Sequence, residues 1–338
     1  MIKNSLSLNK ILPAGFIVYF LIFISFFLSG CTKSVKVYKV GILCDLDYFC
    51  STVDGFKNKM TELGYIEGKN ITYDIQQSRS DTNLVRKILM NFIEQKVDLI
   101  FVLPTEASAE AKKIVTGTNI PIVFAQANVE GKNLIKGIKE PGNNITGVRY
   151  PGPDLTLKRF QLMCEMFPKC KRMLVPFKRS QTIIQNQLAV LRPAAKKAGV
   201  KLIEAPAESA DEIQKILLKH SKSTNIDFDA ILLIPEPLSV TTNTFIVIAK
   251  FSDKFKIPIG GAIMSAGNYS TLFGVSTDNI SVGKQSALLA NKIFSGVPAG
   301  TIPVLSAESY IQINYKEAKK FGAIISEGLL KQANEIIR

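Results

Sequence analysis

No tryptophan occurs in the 338 residues, and histidine occurs once, as His220. Nucleophilic catalysis of the Ser-His-Asp or Cys-His kind needs a positioned histidine, and His220 lies in the polar run Leu218-Lys219-His220-Ser221-Lys222 at a helix end. No GxGxxG or GxxxxGK[ST] run is present, so a nucleotide cofactor has no phosphate-cradling loop to bind. A basic stripe is missing as well. Lys+Arg exceed Asp+Glu by 14, yet Lys57, Lys59, Lys69, Lys112, Lys113, Lys196, Lys197, Lys319 and Lys320 are scattered over polar faces. They lack the clustering and interleaved aromatics of a nucleic-acid surface, which argues against such a partner. Repeats and low-complexity tracts are absent. An enzyme would have to rely on loop carboxylates such as Asp45 and Asp47, and loop acids are more often solvated or capping.

What is present begins with a leader. Lys3 and Lys10 precede an apolar run, Phe16 to Leu28, which closes with Leu28-Ser29-Gly30-Cys31. Positive, apolar and small-residue regions in that order form a secretory signal. Its ending resembles a bacterial lipobox, which implies cleavage before Cys31 and a diacylglycerol on that sulfur. Residues 1–30 then form the signal and 31–37 a lipidated tether, with the remainder held outside the cytoplasm on a bacterial membrane. The other reading of the run is a retained transmembrane anchor, for which it is nearly long enough.

Four further cysteines fall into two pairs with equal spacing, Cys44 with Cys50 and Cys164 with Cys170. In an oxidising compartment an even count invites two local disulfides. Free buried thiols are the alternative. Zinc fits less well, since neither pair has close ligand spacing and His220 lies elsewhere.

The length suits two domains, or one domain built in two halves. The stretch Val97 to Asn128 organises the rest: the apolar run to Leu103, the turn Pro104-Thr105-Glu106, a helical segment, and a second run, Ile120 to Phe124, ending in Gln126-Ala127-Asn128. That is a β-α-β unit, whose parallel strands bring the loops after Leu103 and Phe124 to one edge. Ligands of open α/β sheets sit at that edge.

Similar alternation runs on both sides. Tyr38 to Leu43 is strand-like; Val53, Phe56, Met60 and Leu63 share a helix face, and Leu84, Ile88, Phe92 and Ile93 mark another. After Pro151-Gly152-Pro153 a second series starts, with a helix on Leu157, Phe160, Cys164 and Phe167 and strands from Met173, Lys201 and Ala230. Two successive β/α series predict two parallel sheets with helices on both faces.

Four segments then follow one family's order: Asp54-Gly55-Phe56; Glu62-Leu63-Gly64-Tyr65-Ile66-Glu67-Gly68-Lys69-Asn70-Ile71; Pro121-Ile122-Val123-Phe124; and Pro141-Gly142-Asn143-Asn144-Ile145-Thr146-Gly147-Val148. The chain from Tyr38 to about Leu330 resembles the ABC transporter substrate-binding family whose characterised members bind tryptophan, tyrosine or phenylalanine. The resemblance implies an α/β, type I periplasmic-binding fold, with two Rossmann-like lobes joined by a three-crossing hinge and a small solute between them. It implies crossings near Gly147 to Gly152, Val275 to Asn279 and Pro303 to Ala307, with residues 38–148 plus 276–303 in one lobe and 149–275 plus 304–338 in the other. An ABC permease and its ATPase are the implied partners, and no cofactor is needed. A ligand-sensing subunit of a membrane signalling system is the alternative use of the same fold.

For an amino acid, the start of the helix at Thr105, with Glu106, Ala107 and Ser108 in its first turn, offers N–H groups and hydroxyls to a carboxylate. Glu106 opposes an anion unless it faces away. The resemblance points to Glu236 for the ammonium, where the family has an aspartate. Asp45, Gln126 and Asn128 lie at strand ends of the expected cleft, and Tyr48, Phe124, Tyr150 and Tyr269 are candidate apolar walls. Asn128 stands where the family usually carries an acid, and Glu106 where it has a small residue or proline, so the ligand is less determined than the fold.

Overall fold

Tyr38–Cys44 forms the first strand, β1, and its last five residues are buried. A strand buried on both faces needs helices on both sides and parallel neighbours. They are supplied by β2 (Ile71–Gln77), β3 (Leu99–Leu103), β4 (Ile122–Ala127) and β5 (Ile145–Arg149), with the short β13 (Leu305–Ser306) at the far edge. The six run parallel in the order β13-β5-β4-β3-β1-β2. This computed structural model describes residues 36–221 and 226–338. The signal segment, the lipidation at Cys31 and most of the expected tether lie outside the described residues. Tyr38–Arg338 forms one compact unit, and no helix among the described residues is long and apolar enough to cross a membrane.

Helices α1 (Ser51–Glu62), α2 (Thr82–Glu94) and α3 (Thr105–Val115) connect these strands. In α1 the expected face holds: Val53, Phe56 and Met60 are buried. Full burial of a side chain such as Phe56 stabilises by roughly 2–3 kcal/mol. In α2 the face is rotated, because Val85 and Leu89 are buried and Leu84 is exposed. The Asp81 side chain caps α2 by accepting from the N–H groups of Asn83 and Leu84, which fixes the start of the helix at Thr82, two residues before the Leu84 that periodicity marks.

The second lobe repeats the arrangement. Strands β6 (Arg172–Lys178), β7 (Lys201–Ala207), β8 (Ala230–Leu232) and β9 (Ile259–Gly260) run parallel in the order β7-β6-β8-β9. Helices α4 (Gly152–Met166), α5 (Ile183–Ala198), α6 (Ala210–His220) and α7 (Thr242–Phe255) join or flank them. A hairpin of β10 (Ser265–Ala266) and β11 (Tyr269–Ser270) follows. Then β12 (Phe273–Thr277) pairs antiparallel with β14 (Ser309–Asn314), and β14 pairs with β15 (Glu335–Ile337). Helix α8 (Asn279–Phe294) returns to pack on α1 of the first lobe. Short helices α9 (Tyr315–Lys320) and α10 (Glu327–Gln332) precede β15.

Three connections link the lobes: after β5, between β12 and α8, and between β13 and β14. The third lies within the expected range Pro303 to Ala307, but beyond the lobe boundary expected at residue 303. Leu305 and Ser306 pair with Val148 and Arg149 in the first sheet, so the chain leaves that lobe after Ser306 rather than after Pro303.

The cysteine pairs differ. Cys44 and Cys50 form a disulfide that closes the loop between β1 and α1. Cys164 and Cys170 are free, which corrects the expectation of a second bridge. Cys164 lies on α4, while the Cys170 thiol turns toward the Arg172 carbonyl, 3.6 Å away. Burial pushes the Cys170 thiol up to about 11, so it is protonated and unreactive at neutral pH.

Candidate ligand-binding cleft

In the first sheet the order of connection reverses between β1 and β3, and the crevice of an open parallel sheet lies outside the strand ends at that point. The residues that follow those two strands are Asp45 and Pro104-Thr105. Asp45 N–H donates to the Leu103 carbonyl at 3.0 Å, joining the strand ends. Its side chain is buried, and Oδ1 accepts from the Ser78 hydroxyl at 2.5 Å and the Ser80 N–H at 2.8 Å. Asp45 therefore fixes the rim of the cleft.

At the start of α3 the chain presents free donors. Ser108 N–H makes the first ladder bond, to the Pro104 carbonyl at 3.0 Å. The N–H groups of Thr105, Glu106 and Ala107 precede it and have no partner among the described residues, as a helix start dictates. They border a cavity of about 410 Å³, which Asp45, Leu46 and Ser80 also line. The Ser108 hydroxyl donates back to the Pro104 carbonyl and is fully buried, so its proton is not presented to a ligand. Glu106 turns outward, with its side chain 70% exposed and Lys132 Nζ 4.0 Å away. Glu106 still lines the same cavity, where Lys132 and Lys113 also stand.

The disulfide-closed loop carries Tyr48, whose ring is 70% exposed and meets Phe49 edge-on at 4.9 Å. Its carbonyl accepts from Asn279 Nδ2 at 2.8 Å. Asn279 Oδ1 in turn accepts from Gln126 Nε2 at 2.7 Å, and Gln126 Oε1 accepts from the Thr277 hydroxyl at 3.0 Å. Gln126 is thus a buried hinge residue, held at a left-handed φ of 54°. It ties the end of β4 to the second lobe connection and, through Asn279, to the Tyr48 loop.

Tyr150 follows β5 in the first connection and packs against the core of the second lobe. Burial raises its phenol above the ordinary value, and its electrostatic surroundings are Arg159 and Tyr48. Tyr48, on the disulfide-closed loop of the first lobe, and Tyr150, in the first connection, lie within electrostatic range of each other. The lobes also touch directly. Asn186 Nδ2 donates to the Glu130 carbonyl at 3.1 Å, while Arg149 bridges Glu130 at 2.5 Å and Asp154 at 2.8 Å.

Other expected wall residues are placed elsewhere. Phe124 is fully buried in the core between the first sheet and its helices. Tyr269 sits on the β10–β11 hairpin against the cluster that includes Phe245 and Ile248 of α7, a different cluster from the one that receives Tyr150. Glu236, expected to face a ligand ammonium, is instead committed to its own lobe. Oε2 accepts from the N–H groups of Lys178 and Leu238, both at 2.9 Å, and Oε1 accepts from the N–H and hydroxyl of Ser239. Those four bonds fill both oxygens.

Sequence reasoning missed Arg159. It lies within the buried face of α4, in register with Leu155, Leu162 and Met166, and is 4% exposed. Nε donates to the Val275 carbonyl at 2.9 Å and Nη1 to the Leu233 carbonyl at 2.8 Å. Nη2 has no partner among the described residues. A charged residue in register with an apolar stripe was the available signal. Reading the helix face from Leu157 and Cys164, both only partly buried, hid it.

Comparison with known proteins agrees with this architecture. A "Tyrosine-binding protein" of Clostridioides difficile (strain R20291) is 27% identical over 288 residues, 84% of this chain and 80% of the relative. Among solved structures, a domain from Streptococcus pneumoniae in complex with L-Trp superposes with a TM-score of 0.72 at 22% identity, over 89% of this chain and all of that one. A ligand-free, open substrate-binding protein with adhesive properties from Clostridium difficile gives 0.75 at 22% identity, covering 89% of this chain and 99% of the other. A bound myo-inositol receptor from Bacillus halodurans shares the two-lobed fold more distantly, at a TM-score of 0.60 and 13% identity over 86% of this chain and 99% of that one. The profile described as ABC transporter substrate binding protein matches residues 39–337, so the chain belongs to that family, whose members bind solutes and do not catalyse reactions on them.

Proposed function

We propose that the protein is the lipid-anchored, extracytoplasmic receptor of an ABC importer, and that it closes its two lobes on an amino acid with an aromatic side chain. The observation that carries this reading is that donors unpartnered among the described residues stand at the strand ends of both lobes, the N–H groups of the α3 start in the first and Nη2 of the buried Arg159 in the second, with the exposed ring of Tyr48 on the disulfide-closed loop. Aromatic walls suit an aromatic solute, since ring pairs add roughly 0.5–1.5 kcal/mol beyond their area burial. Polar groups at the strand ends fix its orientation. The tyrosine-binding relative and the L-Trp complex support the same ligand class. Closure by hinge motion then presents the loaded form to the permease, and the ligand drives it only through contacts with both lobes. The leader ending in Leu28-Ser29-Gly30-Cys31 supports the lipid anchor.

The test is thermal unfolding against the twenty amino acids, short peptides and simple organic acids. A ligand at 100 times its Kd stabilises by roughly 2.7 kcal/mol. The expected outcome is a rise confined to aromatic amino acids. No rise with any of them, from folded protein free of carried-over ligand, refutes the ligand class. For the anchor, Cys31→Ser is expected to release the protein from the membrane fraction. For the importer role, deletion of the gene is expected to abolish uptake of the bound amino acid; uptake that persists points to the sensing role.

A further inference from the structure

We infer that Arg159 is the receptor for the ligand's carboxylate, so that the second lobe, through a buried guanidinium, selects for solutes that carry one. This deepens the reading of the cleft given above and rests on it.

Arg159 is a cation in the apolar face of α4 with almost no exposure. A buried charge is costly unless it is paired and hydrogen-bonded. Among the described residues no carboxylate lies within ion-pair distance of it. Glu236 is the acid in its electrostatic surroundings, but both its oxygens are already occupied by Lys178, Leu238 and Ser239. The carbonyls of Leu233 and Val275 take two of the five guanidinium protons. They aim the plane of the group without neutralising it. Three N–H bonds remain, Nη2 supplying two of them.

The surroundings match a charged ligand head. Leu233 follows β8, whose carboxyl end belongs to the switch point of the second sheet, and Val275 precedes the second lobe connection. Its bonds to these two carbonyls place Arg159 at the carboxyl end of β8, beside the second lobe connection, with Tyr150 and Tyr48 in its electrostatic surroundings. A planar guanidinium fork fits a carboxylate through two parallel bonds, which a lysine ammonium does not reproduce. Burial lowers the Arg159 pKa, yet a guanidinium titrates so far above neutrality that it stays charged. Since Arg159 belongs to the second lobe and the free N–H groups of α3 to the first, a carboxylate at Arg159 gives the second lobe the contact of its own that closure requires.

The test is calorimetric titration of the full chain in detergent with L-tyrosine and L-tryptophan, and with L-tyrosinamide and L-tryptophanamide, which keep the ammonium and lose the anion. Wild type is expected to bind the amides about 100-fold more weakly than the acids. Arg159→Met is expected to lose the same factor for the acids and to leave the amides unchanged, and Arg159→Lys to fall between. The wild-type comparison stands without the variants, should Arg159→Met fail to fold. Equal affinity of wild type for L-tyrosine and its amide overturns the assignment while the aromatic reading survives. If neither aromatic acid binds, the remaining amino acids and simple organic acids are titrated. A bound carboxylate that is lost in Arg159→Met then upholds Arg159 and retires the aromatic reading, whereas a bound solute with no carboxylate overturns Arg159.

Discussion

Thr105 Oγ1 accepts from both the backbone N–H and the side-chain amide of Asn128, at 3.1 and 3.4 Å. The two loops at the carboxyl ends of β3 and β4 are therefore fastened by one hydroxyl. With its lone pairs taken, that hydroxyl has its own proton left to donate. Thr105→Val keeps the shape and removes both capacities. It is expected to cost about 1–2 kcal/mol in urea unfolding, the usual penalty of a stranded donor, and to weaken ligand binding in calorimetry by about tenfold. Thr105→Ser is expected to restore both. Unchanged affinity in the valine variant would mean that the first turn of α3 does not meet the ligand.

Asn279 holds the Tyr48 loop from the opposite side. It donates to the Tyr48 carbonyl at 2.8 Å and the Ser51 hydroxyl at 3.2 Å while accepting from Gln126. Its role is to position a ring that is itself free to stack. Asn279→Ala is expected to weaken aromatic ligands several-fold at a stability cost of about 1 kcal/mol. Tyr48→Ala is expected to weaken them more, and the double variant no further than Tyr48→Ala alone. Fully additive losses would show that Asn279 acts independently of Tyr48.

The helix pair α1 and α8 crosses on two glycines. A Cβ at Gly283 would stand 2.1 Å from the Thr52 carbonyl oxygen and 2.6 Å from the Phe56 nitrogen, and one at Gly55 would stand 2.2 Å from the Ile280 oxygen. These are backbone atoms, which cannot rotate away. Gly283→Ala is expected to destabilise by about 1–3 kcal/mol despite the higher helix propensity of alanine. Urea midpoints measure it, and a neutral result would require the helices to separate without loss elsewhere.

Much of this was legible in the residues. The β-α-β unit around Thr105 and the face of α1 carry simple periodicities, and the order of elements through two β/α series followed from them. What periodicity could not convey is how a polar side chain is used. Glu236 sits where the family resemblance places a ligand acid, but a three-residue turn wraps the carboxylate with N–H donors. That depends on the local path of the chain. Tyr269 lies in a hairpin too short to carry any pattern, and β13 has only two residues. Arg159 was written in the sequence as a charge on an apolar stripe, and was lost because two partly buried residues, Leu157 and Cys164, suggested a different face.

Glu204 on the edge strand β7 pairs with Arg192 of α5 through two bonds, at 2.7 and 2.9 Å. Those hydrogen bonds hold the Glu204 carboxyl below its ordinary value. A depressed folded value adds stability above the unfolded value, and that stability fades as the pH falls through the folded one. The pair is partly exposed, so solvent screening limits it to about 0.2–1 kcal/mol. Glu204→Gln is expected to cost that much at neutral pH, and the cost is expected to fade as the pH falls through the depressed Glu204 value, once both chains carry a neutral side chain. A difference that persists in acid would assign the loss to packing instead.

Glu236 offers the sharpest separation between scaffold and ligand contact. Its carboxylate receives Lys178 from the end of β6 and Leu238 and Ser239 from the turn leading toward α7, so it closes the switch point of the second sheet. Removal strands three buried or partly buried N–H groups at once, and Glu236→Ala is expected to cost about 3–5 kcal/mol. Glu236→Gln keeps one acceptor oxygen and turns its amide nitrogen on the remaining donors, so an intermediate loss is expected. Affinity separates the two roles. If Glu236 only shapes the turn, Glu236→Gln, at a temperature where it is folded, weakens L-phenylalanine and its deaminated analogue 3-phenylpropionate by the same factor. If it also meets the ammonium, the loss falls on L-phenylalanine alone. The four filled acceptor positions predict the first result, because an ammonium approaching this carboxylate would have to displace a bond that holds β6 and β8 in register.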